Sequence, residues 1–137
     1  MSTVMILADF VGTKATKTNA ELATVGARIG EVTAVVLAPV GQGSTYAAAI
    51  NRGPITNIIV VESDAFVANG VAAVADVLAQ VISAQSPVAV LVASHAFGKE
   101  VAARTAVKTG SGIITVLIST SFLLKMKPVV LRRFHHL

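Results

Sequence analysis

Five short runs rich in β-branched residues recur along the chain: TVMILA (3–8), VTAVVLA (32–38), NIIVV (57–61), VAVLVA (88–93) and IITVLI (113–118). Each is apolar almost throughout, not at every second position. A strand with one wet face alternates, whereas a strand covered on both faces does not, so these runs read as the buried strands of a parallel sheet. Helical patterns fill the gaps. The first opens at Thr18-Asn19-Ala20-Glu21, the spacing of a capping box, and sets Leu22, Val25 and Ile29 on one face before Gly30 stops it. A short helix follows Ser44 and ends at Gly53-Pro54. A third begins after Ser63-Asp64, read as N-caps, and carries Val67, Val71, Val74, Leu78, Val81 and Ile82 at helical spacing before Pro87. The fourth runs from about Gly98 to Thr109, with Gly110 as its C-terminal cap.

Strand–helix alternation of this kind predicts a three-layer α/β/α, doubly wound, mainly parallel sheet over residues 1–117. Residues 118–137 follow neither periodicity and read as an atypical tail. A chain of 137 residues is long enough for one domain with a proper core and too short for two ordinary ones.

Charge locates the polar chemistry. The formal charge of +4 suggests nucleic acid until its position is considered. Residues 1–117 balance seven bases (Lys14, Lys17, Arg28, Arg52, Lys99, Arg104, Lys108) against seven acids (Asp9, Glu21, Glu31, Glu62, Asp64, Asp76, Glu100). The whole excess is Lys125, Lys127, Arg132 and Arg133, so the basic isoelectric point describes the tail and no nucleic-acid face is expected. Without cysteine the chain has no disulfide, iron–sulfur or zinc-finger chemistry. The start, MSTVMILADF, lacks a basic n-region, and the uncharged run between Lys108 and Lys125 is short and interrupted by Thr, Ser and Gly. The expectation is a soluble, cytoplasmic chain with no membrane span.

Candidate chemistry lies at strand ends, where sheets of this kind bind ligands. Gly98-Lys99 is followed by Glu100 where a phosphate loop needs Ser or Thr, and Ala93 stands where its first glycine belongs. Glu100 then reads as complementing a helix dipole, the alternative being an anion at the helix start. Gly41-Gln42-Gly43-Ser44 is half of a dinucleotide fingerprint, with Tyr46 in place of the third glycine, and reads as turn chemistry. His95 follows Ser94, but neighbours on a strand point to opposite faces, so a surface or hydrogen-bonded histidine is expected in place of a catalytic pair. Asp9 and Glu62 also sit at strand ends. His135 and His136 lie in the tail without a scaffold for metal. No catalytic, cofactor-binding or metal-binding constellation is assigned, and no enzyme activity is expected.

FGKEVAARTAVKTGSGIIT (97–115), taken with VMILADFVGTKATKT, ARIGEVTAVVLA and NIIVVES, resembles the electron transfer flavoprotein alpha subunit, over residues 1 to about 115. The resemblance implies an N-terminal domain of adenine nucleotide alpha hydrolase-like fold that packs against a beta subunit. It also implies an FAD-dependent carrier moving electrons from acyl-CoA or other dehydrogenases toward a respiratory acceptor. In the family FAD is held mainly by a second domain, so FAD is not expected in this chain and no FAD-contacting residue carries over. Gly98, Lys99 and Glu100 then start a structural helix, and Arg104 and Lys108 are placed to meet the partner or the second domain.

After Thr115 the chain departs from the family, which continues with an aspartate and later a Phe-Gly-Gly-Ser/Ala-Thr stretch. Leu131-Arg132-Arg133-Phe134-His135-His136, written with CGG and CAC codons, becomes Phe-Gly-Gly-Ser-Thr-Thr after a one-nucleotide shift, so a frameshifted tail is expected, against a divergent natural one. The alternative functional readings are a stand-alone nucleotide-binding domain using Asp9, Gly41 and Gly43, or an inert truncated product. The isolated chain is also expected to self-associate, with Phe122, Leu123, Leu124, Met126, Val129, Val130 and Leu131 covering apolar surface or pairing at a sheet edge.

Overall fold

The computed structural model describes residues 2–50, 52–114 and 129–133. Twelve elements follow one another among them: β1 (Thr3–Leu7), β2 (Phe10–Val11), β3 (Lys14–Ala15), α1 (Thr18–Ala27), β4 (Glu31–Ala38), α2 (Gly43–Ala49), β5 (Ile55–Glu62), α3 (Ala65–Gln85), β6 (Ala89–Val92), α4 (Ala96–Thr109), β7 (Ser111–Ile114) and β8 (Val129–Arg133). The main sheet has the order β5-β4-β1-β6-β8-β7, and β2 and β3 form a separate hairpin. Strands β5, β4, β1 and β6 run parallel, while β8 is antiparallel to both of its neighbours.

Strand alternation sorts the core into two layers. Val4 and Ile6 of β1 join Val32, Ala34 and Val36 of β4 and pack with Leu22 and Ala23 of α1. Met5 and Leu7 turn the other way, onto Val74, Leu78 and Ile82 of α3 and Val101, Ala102 and Ala106 of α4. Continuous apolar strands and one-faced helices thus give the expected three-layer α/β/α architecture.

The helix ends depart from the sequence expectations. The Thr18–Glu21 capping box does not form: Lys17 is the N-cap residue, already in the αR region, and no side chain caps the helix. Thr18 is inside α1, and α1 ends at Ala27, which leaves Ile29 beyond the helix and exposed. Helix α4 starts at Ala96, two residues early, because His95 caps it. Glu100 therefore falls outside the first turn and does not complement the dipole there. Gly110 caps the other end in the left-handed region, as expected.

Helix α3 breaks at Gly70, whose φ of 49° and ψ of −125° no ordinary side chain tolerates. The break turns Val67 out to solvent, where it is 81% exposed, while Val74, Leu78 and Ile82 stay buried. This helix is long and apolar enough to cross a membrane, but its buried residues belong to the core beneath it. Val129–Arg133, to which the sequence pattern assigned no element, forms β8 between β6 and β7. Of the roles expected for the tail, covering apolar surface or pairing at a sheet edge, these residues pair with β6 and β7 inside the sheet. Residues 118–128 and 134–137, with Phe122, Leu123, Leu124, Met126, His135 and His136, lie outside the described residues.

Leu78 fills the sheet-facing side of α3 and is fully buried. Leu78→Ala should lower the unfolding free energy by about 2–5 kcal/mol. Val67→Ala, on the far side of the break, should change it by no more than about 0.5 kcal/mol. Urea denaturation followed by circular dichroism measures both, and a reversed order would refute this orientation of α3.

Candidate functional site

The chain moves outward from β1 through β4 to β5, then returns to place β6 on the other side of β1. The carboxyl ends of β1 and β6 are therefore the point at which the winding reverses, where open α/β sheets leave a crevice. A cleft of ≈ 350 Å³ opens there. Leu7, Leu37, Phe10 and Phe97 supply apolar walls, and Asp9 and His95 supply its charged and polar groups.

Asp9 is held by three residues, Asn19, Thr16 and His95. Asn19, buried in the first turn of α1, accepts a hydrogen bond from the Asp9 N–H at 2.7 Å and donates through Nδ2 to the Asp9 carbonyl at 2.8 Å. The same Nδ2 also donates to the Thr16 carbonyl at 3.1 Å. Thr16 donates its hydroxyl to Asp9 Oδ2 at 2.6 Å, which ties the β2–β3 hairpin back to the end of β1. Phe10 of the hairpin stacks at a tilt on Tyr46 of α2, with ring centroids 4.9 Å apart.

Across the cleft, His95 links Asp9 to α4. Its Nδ1 accepts from the Gly98 N–H at 3.0 Å, and its Nε2 lies 2.8 Å from Asp9 Oδ1. An Nδ1 that accepts leaves the neutral ring's proton on Nε2, from which it is donated to the carboxylate. Both ring nitrogens are thereby used. Ser94 Oγ is buried with no hydrogen-bond partner among the described residues, so a Ser94–His95 nucleophile–base pair is not assembled. His95 is the hydrogen-bonded histidine that the sequence suggested. Its pairing with Asp9, 86 residues away, was not foreseen and carries no local signal.

Asp9 and the glycine loop, grouped by the nucleotide-binding reading, are held in separate networks. Gly41 and Gly43 do not line the cleft. The Gly43 N–H donates to Glu62 Oε2 at 2.8 Å, and the Val40 N–H to Asp64 Oδ1 at 3.2 Å. The chain's own carboxylates thus occupy the donors that a phosphate would seek. Asp64 serves this loop and not the start of α3, where Ser63 Oγ accepts from the Ala65 N–H at 3.1 Å. Lys108 is paired with Asp76 of α3 at 2.7 Å, so only Arg104 of the two expected contact residues remains without such a pairing among the described residues. Among the described residues no group of three or more His, Cys, Asp or Glu gathers as a metal site.

The sequence model described as "Electron transfer flavoprotein domain" matches residues 4–133. The chain belongs to the electron transfer flavoprotein domain family. It is 32% identical over 118 residues to the electron transfer flavoprotein subunit alpha of Mycobacterium leprae (strain TN), a span of 86% of this chain and 37% of that protein. The subunits of the same name from two strains of Mycobacterium tuberculosis, CDC 1551 / Oshkosh and ATCC 25618 / H37Rv, are 31% identical over the same shares. The chain thus spans little more than a third of the length of these relatives. Within Gly98-Lys99-Glu100, Gly98 has a structural role. A Cβ there would overlap the Ala93 carbonyl oxygen, so the glycine lets α4 start directly against the end of β6.

Gly→Ala inside a helix ordinarily stabilises by about 1 kcal/mol. Gly98→Ala should instead destabilise by about 1–3 kcal/mol, because backbone must shift to admit the methyl group. Chemical denaturation of the two proteins reads the sign directly, and a stabilised variant would refute the close approach.

Proposed function

We propose that this chain is the N-terminal domain of an electron transfer flavoprotein alpha subunit. It forms the structural part of a heterodimer with a beta subunit and is not itself catalytic. The FAD-dependent transfer of electrons between dehydrogenases and the respiratory chain is then completed by parts beyond it. The supporting observation is the family match over residues 4–133, made to relatives named as alpha subunits of which this chain spans 37%.

The geometry agrees with a structural role. The residues at the strand ends do not fit FAD. The switch-point cleft of ≈ 350 Å³ lies at the low end of the range of about 300–1,000 Å³ for small-molecule sites, whereas FAD is a dinucleotide. The Gly43 N–H that a pyrophosphate would need already faces Glu62. Bringing a phosphate there sets like charges together and leaves a carboxylate without its donor. The frameshifted reading of the tail belongs to the same proposal, and the codons for Leu131 to His136 decide it.

The full chain, mixed with the beta subunit from the same source, should form a one-to-one complex by native mass spectrometry. Alone, it should carry no flavin absorbance near about 450 nm after gel filtration. Stoichiometric yellow protein, or no complex with the beta subunit, would overturn the assignment. ATP and AMP should bind no tighter than roughly millimolar, about −4 kcal/mol, by calorimetry. Micromolar affinity would favour the nucleotide-binding reading instead.

A further inference from the structure

Strand β5 ends the main sheet on one side among the described residues, and its outer edge is unusually plain. Residues 57–61 contain no charge and no proline, two of the devices that commonly blunt such edges, and the one register shift of β5 lies before Asn57. Val60 is 41% exposed, and Ile58, Ile59 and Val61 are only half-buried.

The backbone shows which groups are free. The Ser63 N–H donates to the Ala38 carbonyl of β4 at 2.9 Å, so odd-numbered residues of β5 bond inward. By the strand's period of two, Ile58, Val60 and Glu62 turn their N–H and C=O groups outward, while Thr56 lies at the register shift where the period is interrupted. The Thr56 carbonyl has a partner: Arg52 donates to it from Nη2 at 3.1 Å. That bond fixes a guanidinium beside the edge at the level of Thr56, with donors to spare. At the other end of the edge stands Glu62, which uses Oε2 for the Gly43 N–H. Its other oxygen remains an acceptor.

We propose that β5 pairs with β5 of a second copy of this chain, antiparallel and with Ile59 on the two-fold axis. This register sets Thr56 opposite Glu62 of the second copy, and Ile58 opposite Val60 of the second copy. The outward groups of Ile58 and Val60 then face one another as hydrogen-bonded pairs, while the Thr56–Glu62 ends are joined through side chains. The guanidinium held at Thr56 meets the Glu62 carboxylate of the other copy, once at each end. Between the two charge pairs, Ile58 and Val60 of both copies form one apolar cluster. It is continuous with the groove of ≈ 390 Å³ that Ala47, Ala48 and Ile50 line beside the same edge. A shift by two residues in either direction moves each carboxylate away from the guanidinium, so the charges select the register. The contact is self-complementary and closes, as a two-fold interface must.

The test uses the full chain in sedimentation equilibrium and hydrogen exchange. The wild-type protein should be a dimer at about 100 µM and dissociate on dilution. The Ile58 and Val60 amides should exchange more slowly as concentration rises. Val60→Pro removes an outward N–H without touching the β4–β5 ladder, so it should give a monomer with an unchanged circular dichroism spectrum. Arg52→Glu, in the turn before the strand, sets like charges together at both ends and should weaken the dimer at least about tenfold. If Val60→Pro fails to fold, the exchange data and Arg52→Glu decide. A monomeric wild type, a dimer unaffected by Arg52→Glu, or concentration-dependent protection elsewhere overturns the proposal. None of these outcomes bears on whether the chain also binds a beta subunit, which the mixing experiment reads separately.

Discussion

Strand β1 is hydrogen-bonded on both edges and covered on both faces. Val4, Met5 and Ile6 are fully buried, with β4 on one side and β6 on the other. Water does not reach its backbone groups, so each needs a partner strand, and both neighbours are obligatory. That requirement forces the chain to wind outward to β4 and β5 and then come back. The return separates the strand ends beyond β1 and β6 and makes the cleft. The same burial divides β1 by parity, Val4 and Ile6 to one helical layer, Met5 and Leu7 to the other. Sheet order, layers and cleft all follow from one strand that is covered on every side.

The strands and layers were legible because burial on two faces leaves an unbroken apolar run. The helix starts were less so. A capping box is a local pattern, but Asn19 is claimed by the backbone of Asp9, ten residues back, and that long-range bond outweighs the local one. His95 is an uncommon cap, so α4 was read two residues late. Val67 fits the apolar stripe of α3 by spacing alone, and the break at Gly70 turns it outward. The hairpin of β2 and β3 has two residues per strand, too few for any period. As for the cleft, the sequence supplied its position at strand ends but not its content. The Asp9–His95 bond joins residues that only the sheet order brings together.

The polar groups at these strand ends are used to hold loops. Asp9 organises the hairpin and reaches α4 through His95, while Glu62 and Asp64 fasten the Gly41–Gly43 loop. A carboxylate is the natural acceptor for free N–H groups at such a turn, and supplying it internally gives up the site where an anion would bind.

The two sides of the sheet end differently. Beyond β6, the antiparallel strand β8 intervenes before β7, so the run of adjacent parallel strands is interrupted there by one strand of opposite sense. Beyond β5 no described strand follows. The register of β4 and β5 slips between Val32 and Thr33, which leaves Thr56 unmatched and bends the first residues of the edge. Slips of this kind commonly blunt an edge along its length. Here the slip affects one end only, and Arg52 occupies the carbonyl it turns out. From Asn57 to Glu62 the ladder to β4 is regular, so the outer side presents an equally regular row of donors and acceptors. An edge blunted at one end and regular at the other admits a strand of fixed length and register, and this distinguishes a specific pairing from open-ended aggregation.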